Sequence, residues 1–256
     1  MTNLSELAAG LDEAARTATA VPQLTDTYPD LSVADAYAIQ ALSVARRWAR
    51  GERRVGYKMG LTSRAKMQQM GVSEVIWGRL TDAMRLEEGG EMSHARYTHP
   101  RVEPEIAYIM RKPLSGNVSL AEALDAVEAV APAMEIIDSR YRNFKFALAD
   151  VIADNSSSSG FYLGSWAKPS TDVSNLGIIM ELNGRPVQIG STAAILGNPI
   201  RSLVSAARLV GSVGERLEPG DIVLAGGATA AHALTPGDFV RTSFQNLGAV
   251  SFNVGA

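Results

Sequence analysis

The chain has 256 residues, of which 46% are hydrophobic and 20% charged, and its formal net charge is −3. This composition supplies a hydrophobic core and disfavours disorder, and without a Lys/Arg-rich run nucleic acid is a poor candidate partner. The absence of cysteine excludes disulfides, thiolate catalysis and Cys-ligated zinc. We see no signal peptide and no stretch of about 20 apolar residues for a membrane span, so we expect a soluble, cytoplasmic globular protein.

Residues 1–52 are predicted to form a helical segment. Ser32 and Asp35 resemble a capping box with Asp in place of Glu, and apolar residues then repeat at helical spacing until Gly51. After this segment, "VGYKMG" at 55–60 predicts a short strand, and residues 64–70 predict a brief helix.

The middle of the chain predicts two strands around a helix. Residues 101–110, "RVEPEIAYIM", predict a strand, and Pro104 places it at a sheet edge or bulge because proline cannot donate to a ladder. Ser119 and Glu122 form a capping box for a helix over 120–130, and a strand over 131–138 follows.

The last third is richer in strands. Asn183-Gly184 between β-prone arms predicts a hairpin. Residues 199–214 predict an amphipathic helix, and Pro-Gly-Asp turns at 219–221 and 236–238 each precede a strand. The whole pattern indicates an α+β fold, with the helical segment over 1–52 and a mixed, mostly β domain over 53–256.

Three glutamates suggest a metal site. Side chains alternate along a strand, so Glu103 and Glu105 share a face about 6.6 Å apart. That face could simply be solvated, but it continues with apolar residues, and Glu135 lies in the apolar stretch "APAMEIID", where a lone buried carboxylate is costly. Converging carboxylates suit Mg²⁺ or Mn²⁺. A zinc site is disfavoured because the three histidines show no HExxH-like spacing.

Two further stretches could complete a site. Lys58 lies inside a short apolar strand, where it is either buried for a task or extends to the surface. Residues 153–161, "ADNSSSSGF", are rich in small hydrogen-bonding groups, although a plain loop has the same composition. "LAGGATAA" at 224–231 could form a tight turn around a ligand carboxylate, but it lacks the Lys-Ser/Thr of a P-loop.

Taken together, five stretches resemble the hydratase/decarboxylase branch of the fumarylacetoacetate hydrolase-like superfamily, and the match runs from about residue 30 to the C-terminus. The stretches are "GYKMGLTSRAKMQQMG", "HPRVEPEIAY", "MEIIDSRYRNFKF", "ADNSSSSGFYLG" and "LAGGATAAHALTPGD". The resemblance implies the mixed β-fold of that superfamily, with residues 53–256 as the catalytic domain.

The resemblance also implies roles for individual residues. The metal ligands would be Glu103, Glu105 and Glu135. The catalytic residues would be Lys58, Asp154, Asn155 and Ser157. The substrate contacts would be Leu61, Ile76 and Thr229, with Thr229 near a substrate carboxylate.

The implied activity is Mg²⁺- or Mn²⁺-dependent decarboxylation of a 2-oxo dicarboxylate, 2-oxo-3-hexenedioate, to 2-hydroxypenta-2,4-dienoate. Hydration of that dienoate is the sister activity of the family. Family hydratases carry an aspartate where this chain has Ile76, and an apolar residue cannot activate water, so we expect the decarboxylase. The resemblance further implies a homo-oligomer that can form a complex with a hydratase.

Other functions remain open from the sequence. The chain could be the hydratase itself, or a non-catalytic scaffold subunit for a partner hydratase, which intact metal ligands and Lys58 argue against. A hydrolase that cleaves an acylpyruvate would share the fold, but no clear His-Glu dyad for activating water is present.

Overall fold

The computed structural model describes residues 3–64, 67–68 and 71–256. Within them the helices are α1 (Leu4–Arg16), α2 (Leu24–Thr27), α3 (Val33–Ala49), α4 (Leu120–Asp125), α5 (Leu148–Ala153) and α6 (Ile200–Ser212). The first six strands are β1 (Arg54–Gly60), β2 (Ile76–Thr81), β3 (Glu91–Ser93), β4 (Arg101–Met110), β5 (Val127–Ile137) and β6 (Ser158–Leu163). The remaining strands are β7 (Gly177–Leu182), β8 (Arg185–Ser191), β9 (Ile222–Leu224), β10 (His232–Ala233), β11 (Phe239–Phe244) and β12 (Gly248–Gly255).

A mixed sheet forms the centre of the described fold. Its strand order is β2-β1-β9-β4-β5-β6, with β10 paired to β4. The β1–β9 pair is parallel, whereas β4 runs antiparallel to both β5 and β9. Because β4 is buried almost throughout, its side chains on both faces are removed from water.

A second sheet packs on one side of the first. Its order is β3-β12-β11-β7-β8. Tyr162 of β6 stacks on Phe252 of β12, with ring centroids 4.3 Å apart, and Met134 Sδ accepts a hydrogen bond from Thr242. These contacts join the two sheets through an apolar cluster, which is the arrangement expected of two sheets that bury one face each.

The N-terminal helices pack against the central sheet. Ser32 caps α3 and completes the predicted capping box with Asp35. Gln40 of α3 is fully buried and donates to the backbone carbonyls of Trp77 and Ile152. The helical segment is therefore tied to β2 and α5, the two elements that flank the polar turn described below.

Several sequence predictions are confirmed at the level of elements. The hairpin joins β7 and β8, and Asn183 and Gly184 both have positive φ, at 53° and 76°, as a type I′ turn requires. The capping boxes at Ser32 and Ser119, the strand at 55–60 and helix α6 are also present. The predicted helix over 64–70 includes residues that lie outside the described part of the chain.

The prediction that Pro104 marks a sheet edge or bulge is wrong. Strand β4 lies inside the sheet, paired with β5 along its length and with β9 over residues 107–109. The proline is tolerated because residues 225–228 leave the ladder beside it, where its carbonyl accepts from Ala228 at 2.8 Å. Its missing N–H points to the same side as that carbonyl, so no ladder hydrogen bond is lost.

The predicted helix over 120–130 is too long. Helix α4 ends at Asp125, and β5 begins at Val127. The β-branched Val127 and Val130 pair with β4, and this long-range pairing overrides the helical pattern of the local sequence.

No helix in the described part of the chain is long and apolar enough to cross a membrane.

Candidate active site

Three buried carboxylates converge where β4 and β5 pair. Glu103 lies directly opposite Glu135 in the ladder, and Glu105 follows two residues later on the same face of β4. One carboxylate oxygen from each lies within 4.8 Å of the other two. Exposure is 6% for Glu103 and 0% for Glu105 and Glu135, so the solvated-face alternative does not describe these residues.

Lys58 extends from β1 to this cluster. Its Nζ lies 2.9 Å from Glu135 Oε2 and donates to the Ser156 carbonyl at 3.0 Å. The side chain is buried, so the alternative in which it extends to the surface is wrong. Burial by itself lowers the pKa of Lys58, but the charges of Glu135 and Glu105 outweigh it and the net pKa shift is upward.

The carboxylates repel one another despite this lysine. Burial, followed by the charge of Glu135, raises the pKa of Glu105 well above its usual value. Burial also raises the pKa of Glu135, while Lys58 and the hydroxyl of Ser158, at 2.9 Å from Oε1, act in the opposite direction. The uncharged form is therefore favoured at both Glu105 and Glu135 relative to an exposed glutamate.

The site fits a hard divalent cation. The Oε1 of Glu105 is buried, and no described residue donates a hydrogen bond to it, while its Oε2 accepts from the Gly226 amide at 2.6 Å. A Cβ at Gly227 would lie 2.5 Å from Glu103 Oε2, so only glycine leaves room for that carboxylate. Three converging anionic oxygens are the donor set that Mg²⁺ and Mn²⁺ prefer.

A strained turn over residues 154–157 forms one wall of the site. Asn155, Ser156 and Ser157 all have positive φ, from 49° to 61°, which costs free energy for residues other than glycine. The side chain of Asn155 accepts from the Arg79 amide and donates to the Arg79 carbonyl, both at 2.9 Å. The turn thereby aims the Ser156 carbonyl at Lys58, and Ser157 Oγ is buried without a hydrogen-bond partner among the described residues.

Asp154 anchors the start of this turn. It accepts hydrogen bonds from the guanidinium and the backbone amide of Arg140, and its own carbonyl accepts from Nη2 at 2.8 Å. Burial raises the pKa of Asp154 to about 6, against the opposing effect of Arg140. Asp154 and Asn155 therefore hold the turn in place, with their side chains bonded to the protein.

A cavity of about 490 Å³ opens above the carboxylates. Lys58, Glu103, Ser156 and Ser157 form its polar end. Its other lining residues are Gly60, Leu61, Ile76, Arg101, Ile137, Phe144, Lys145, Phe146, Val151, Ala230 and Ala231. The site thus combines an anionic, cation-binding end with a wall that is apolar apart from Arg101 and Lys145.

The structure brings most of the predicted site residues together. The three glutamates, Lys58, Ser157, Leu61 and Ile76 all lie in the cluster or the cavity wall. Asp154, Asn155 and Thr229 do not line the cavity. Thr229 is next in sequence to the lining residue Ala230, and its methyl group lies against Gly190 of β8.

Sequence reasoning missed several residues of the site. Arg101 shares the face of Glu103 and Glu105 by strand alternation, and extending that pattern by one step would have found it. Ser158 and Gly226 lie in the stretches 153–161 and 224–231 that the sequence marked as candidates, but their bonds to Glu135 and Glu105 could not be predicted, because these partners are distant in sequence.

Comparison with known proteins agrees with this geometry. Residues 58–255 match the fumarylacetoacetate (FAA) hydrolase C-terminal family. The chain belongs to the fumarylacetoacetate hydrolase family.

Relatives within this family are similar over nearly their whole length. The chain is 62% identical over 250 residues to a 4-oxalocrotonate decarboxylase from Pseudomonas sp, covering 98% of this chain and 97% of that protein. A solved structure of 4-oxalocrotonate decarboxylase from Pseudomonas putida G7, complexed with magnesium and adipate, matches with a TM-score of 0.96 at 39% identity, covering 98% and 97% of the two chains. A 2-keto-4-pentenoate hydratase from Paraburkholderia xenovorans (strain LB400) is 36% identical, covering 96% and 92%.

Proposed function

We propose that this member of the fumarylacetoacetate hydrolase family decarboxylates 4-oxalocrotonate (2-oxo-3-hexenedioate) to 2-hydroxypenta-2,4-dienoate and CO₂, with Mg²⁺ or Mn²⁺ as cofactor. The observation that carries this proposal is the buried cluster of Glu103, Glu105 and Glu135, with Lys58 against it and an apolar cavity wall beside it. The identity of 62% to a decarboxylase, against 36% to a hydratase, favours decarboxylation within this chemistry. The reaction is a carboxy-lyase step of meta-cleavage degradation of aromatic compounds.

The reaction requires a site that stabilises the negative charge that develops on the 2-oxo oxygen of the substrate. When the bond between C5 and the C6 carboxylate breaks, its electron pair forms a C4–C5 double bond. The former C3–C4 double bond moves to C2–C3, and the 2-oxo oxygen becomes an enolate. A divalent cation held by the three glutamates supplies Lewis acidity toward that oxygen.

Lys58 adds a fixed positive charge on the same side. Its Nζ is held by Glu135 and the Ser156 carbonyl, so it does not have to reorganise when the enolate forms. Ser157 Oγ, which has no partner among the described residues, is a hydrogen-bond donor for a substrate oxygen.

Asp154 and Asn155 act as positioning residues in this proposal. Their side chains bond to Arg140 and to the backbone of Arg79, and they hold Ser156 and Ser157 at the cavity wall. Thr229 would act on the substrate indirectly, by holding the adjacent Ala230 and Ala231 in the cavity wall.

The apolar wall separates this reaction from hydration. Ile76 lines the cavity and is only 5% exposed, and Leu61 lies beside it in the wall. Neither side chain can orient or deprotonate water, and together they exclude water from the dienolate until the product leaves.

Activity assays of the purified protein, free of any partner hydratase, test this proposal. We expect CO₂ release from 4-oxalocrotonate in the presence of Mg²⁺, and no useful conversion of 2-hydroxypenta-2,4-dienoate to 4-hydroxy-2-oxopentanoate. Rapid hydration of the dienoate without CO₂ release from 4-oxalocrotonate would assign the sister activity instead.

We also propose that the protein is a cytoplasmic homo-oligomer that can bind a partner hydratase. An exposed apolar pair on the second sheet supports self-association: Ile179 and Ile189 face each other across β7 and β8 and are 43% and 75% exposed. Light scattering of the purified protein, alone and mixed with the hydratase, measures self-association and hydratase binding. A monomeric mass in both samples would contradict both proposals.

A further inference from the structure

The proposed substrate has a second carboxylate, for which the predicted contacts supply no cation. At the polar end of the cavity, Lys58 contacts Glu135, and the three glutamates would hold a divalent cation. Leu61, Ile76 and Thr229 are uncharged. A dicarboxylate that enters this cavity therefore requires a further positive group for its distal end, since desolvating an unpaired carboxylate is costly.

Arg101 is placed to supply that charge. It begins β4, two residues before Glu103, and both residues line the cavity. Two residues of a strand advance about 6.6 Å. The carboxyl carbons of an extended six-carbon dicarboxylate are separated by five carbon–carbon bonds, or roughly 6 Å. The spacing of Arg101 and Glu103 along β4 is therefore comparable with the length of the substrate, and both residues line the cavity that it would occupy.

The guanidinium of Arg101 is held in a fixed orientation. Its Cζ lies 4.1 Å from the ring centroid of Phe144. Phe144 and the preceding Asn143 both have positive φ, 56° and 59°, and Phe144 is further supported by Phe146, with centroids 5.6 Å apart. Stacking on a ring leaves the edge of the guanidinium free for a bidentate bond to a carboxylate. No ion pair of Arg101 occurs within the described residues.

We propose that Arg101, stacked on Phe144, binds the distal carboxylate of the substrate and selects dicarboxylates over monocarboxylates. The inference rests on the proposed function for the identity of the substrate. Lys145 also lines the cavity, but it is exposed and lies outside the strands and helices, whereas Arg101 is partly buried on β4 and stacks on Phe144. The carboxylate that Arg101 would bind leaves as neutral CO₂, so the contact stabilises the bound substrate more than the transition state, and Arg101 contributes to binding rather than to kcat.

The test compares adipate with hexanoate, which has the same carbon chain but one carboxylate. Calorimetry on the Mg²⁺-loaded protein measures both affinities, and steady-state kinetics with 4-oxalocrotonate measures KM and kcat. We expect Arg101→Gln to weaken adipate about 10- to 100-fold, as for loss of a charged hydrogen bond, and to leave hexanoate almost unchanged. KM should rise without a fall in kcat, and Arg101→Lys should retain part of the preference.

Matched variants decide between the possible results. Arg111→Gln removes an exposed arginine just beyond the other end of β4, and it should change neither affinity. An unchanged adipate-to-hexanoate ratio in Arg101→Gln would overturn the proposal, as would loss of the preference in Lys145→Gln instead. If Arg101→Gln does not fold, Arg101→Lys takes its place. If Arg101→Lys prefers adipate as strongly as the wild type and has the wild-type KM, the proposal is overturned.

The same experiment separates the two proposals. If the wild-type protein prefers adipate through Arg101 but releases no CO₂ from 4-oxalocrotonate, the proposed function fails and the dicarboxylate site stands. If CO₂ is released and the Arg101 variants behave as the wild type, the proposed function stands and this inference fails.

Discussion

At the scale of single residues, the site is governed by charge that is buried and must be balanced. Glu105 and Glu135 are fully buried, and Lys58 is 3% exposed. Away from water, each charge interacts more strongly with its neighbours than it would in solvent, and removal of its partner destabilises the protein. The functional residues should therefore respond strongly to substitutions that leave exposed residues of the same type unaffected.

Lys58→Met should lower kcat about 100-fold, in line with the loss of one preorganised electrostatic donor. Metal affinity should change far less, because the three carboxylates remain. Steady-state kinetics and a Mn²⁺ titration measure both effects. Lys112→Met, at an exposed lysine paired with Asp125, is the matched control, and near-normal kcat in Lys58→Met would show that the ammonium has no role in the reaction.

Replacing Glu103, Glu105 or Glu135 individually by Gln should weaken metal binding on the order of tenfold or more, because a hard cation selects anionic oxygen. A Mg²⁺ or Mn²⁺ titration of each variant measures the change. Glu128→Gln changes an exposed glutamate on the same strand as Glu135 and should bind metal as the wild type does. Equal affinities in all four variants would contradict the assigned ligands.

At the scale of elements, the turn over residues 154–157 connects the framework to the chemistry. Its three positive-φ residues keep their conformation because the flanking elements hold them. Asn155 bonds to β2, Ser156 Oγ donates to the Trp77 carbonyl at 2.8 Å, and Asp154 bonds to Arg140. Strain of this kind is common at functional sites, where surrounding contacts over-determine the backbone.

Asp154→Asn should destabilise the protein by about 3–5 kcal/mol, because it leaves the buried Arg140 without its charge partner. Thermal or denaturant unfolding measures this change in the free energy of unfolding. Asp125→Asn breaks the exposed pairs with Arg111 and Lys112, in which the Asp125 side chain is 61% exposed, and it should cost less than about 1 kcal/mol. Comparable decreases in the free energy of unfolding of the two variants would show that the buried pair stabilises the protein no more than a surface pair does.

At the scale of the whole molecule, the repulsion among the three buried acids couples cation binding to folding. The cluster joins β4 and β5 at the centre of the larger sheet. A ligand that binds the folded state but not the unfolded chain stabilises the fold by mass action. Cation binding should therefore change stability as well as activity.

Treatment with EDTA should abolish CO₂ release and lower Tm, and Mg²⁺ or Mn²⁺ should restore both. At 100 times Kd the expected stabilisation is about 2.7 kcal/mol, which corresponds to a Tm shift of roughly 5–10 °C for a chain of this size. Activity assays and melting curves on the same samples measure the two effects. Full activity after rigorous chelation would exclude a metal-dependent reaction, and unchanged Tm would exclude the coupling.

Much of this protein could be predicted from local sequence patterns. Capping boxes at Ser32 and Ser119, the Asn183-Gly184 hairpin and the amphipathic helix α6 depend on residues a few positions apart, so their signals are local. The shared face of Glu103 and Glu105 follows from strand alternation alone. The apolar surroundings of Glu135 and Lys58 in their strands marked them as candidates as well, and the resemblance to a family then gave these residues their roles.

Only the tertiary structure decided how these pieces meet. Proline at position 104 predicted a sheet edge or bulge, but the neighbouring chain leaves the ladder at that point and β4 lies inside the sheet. The contacts of Glu135 with Lys58 and of Glu105 with Gly226 join residues far apart in sequence, as does the stacking of Arg101 on Phe144. Local periodicity specifies which face a side chain takes, whereas strand order and long-range pairing determine what lies opposite that face.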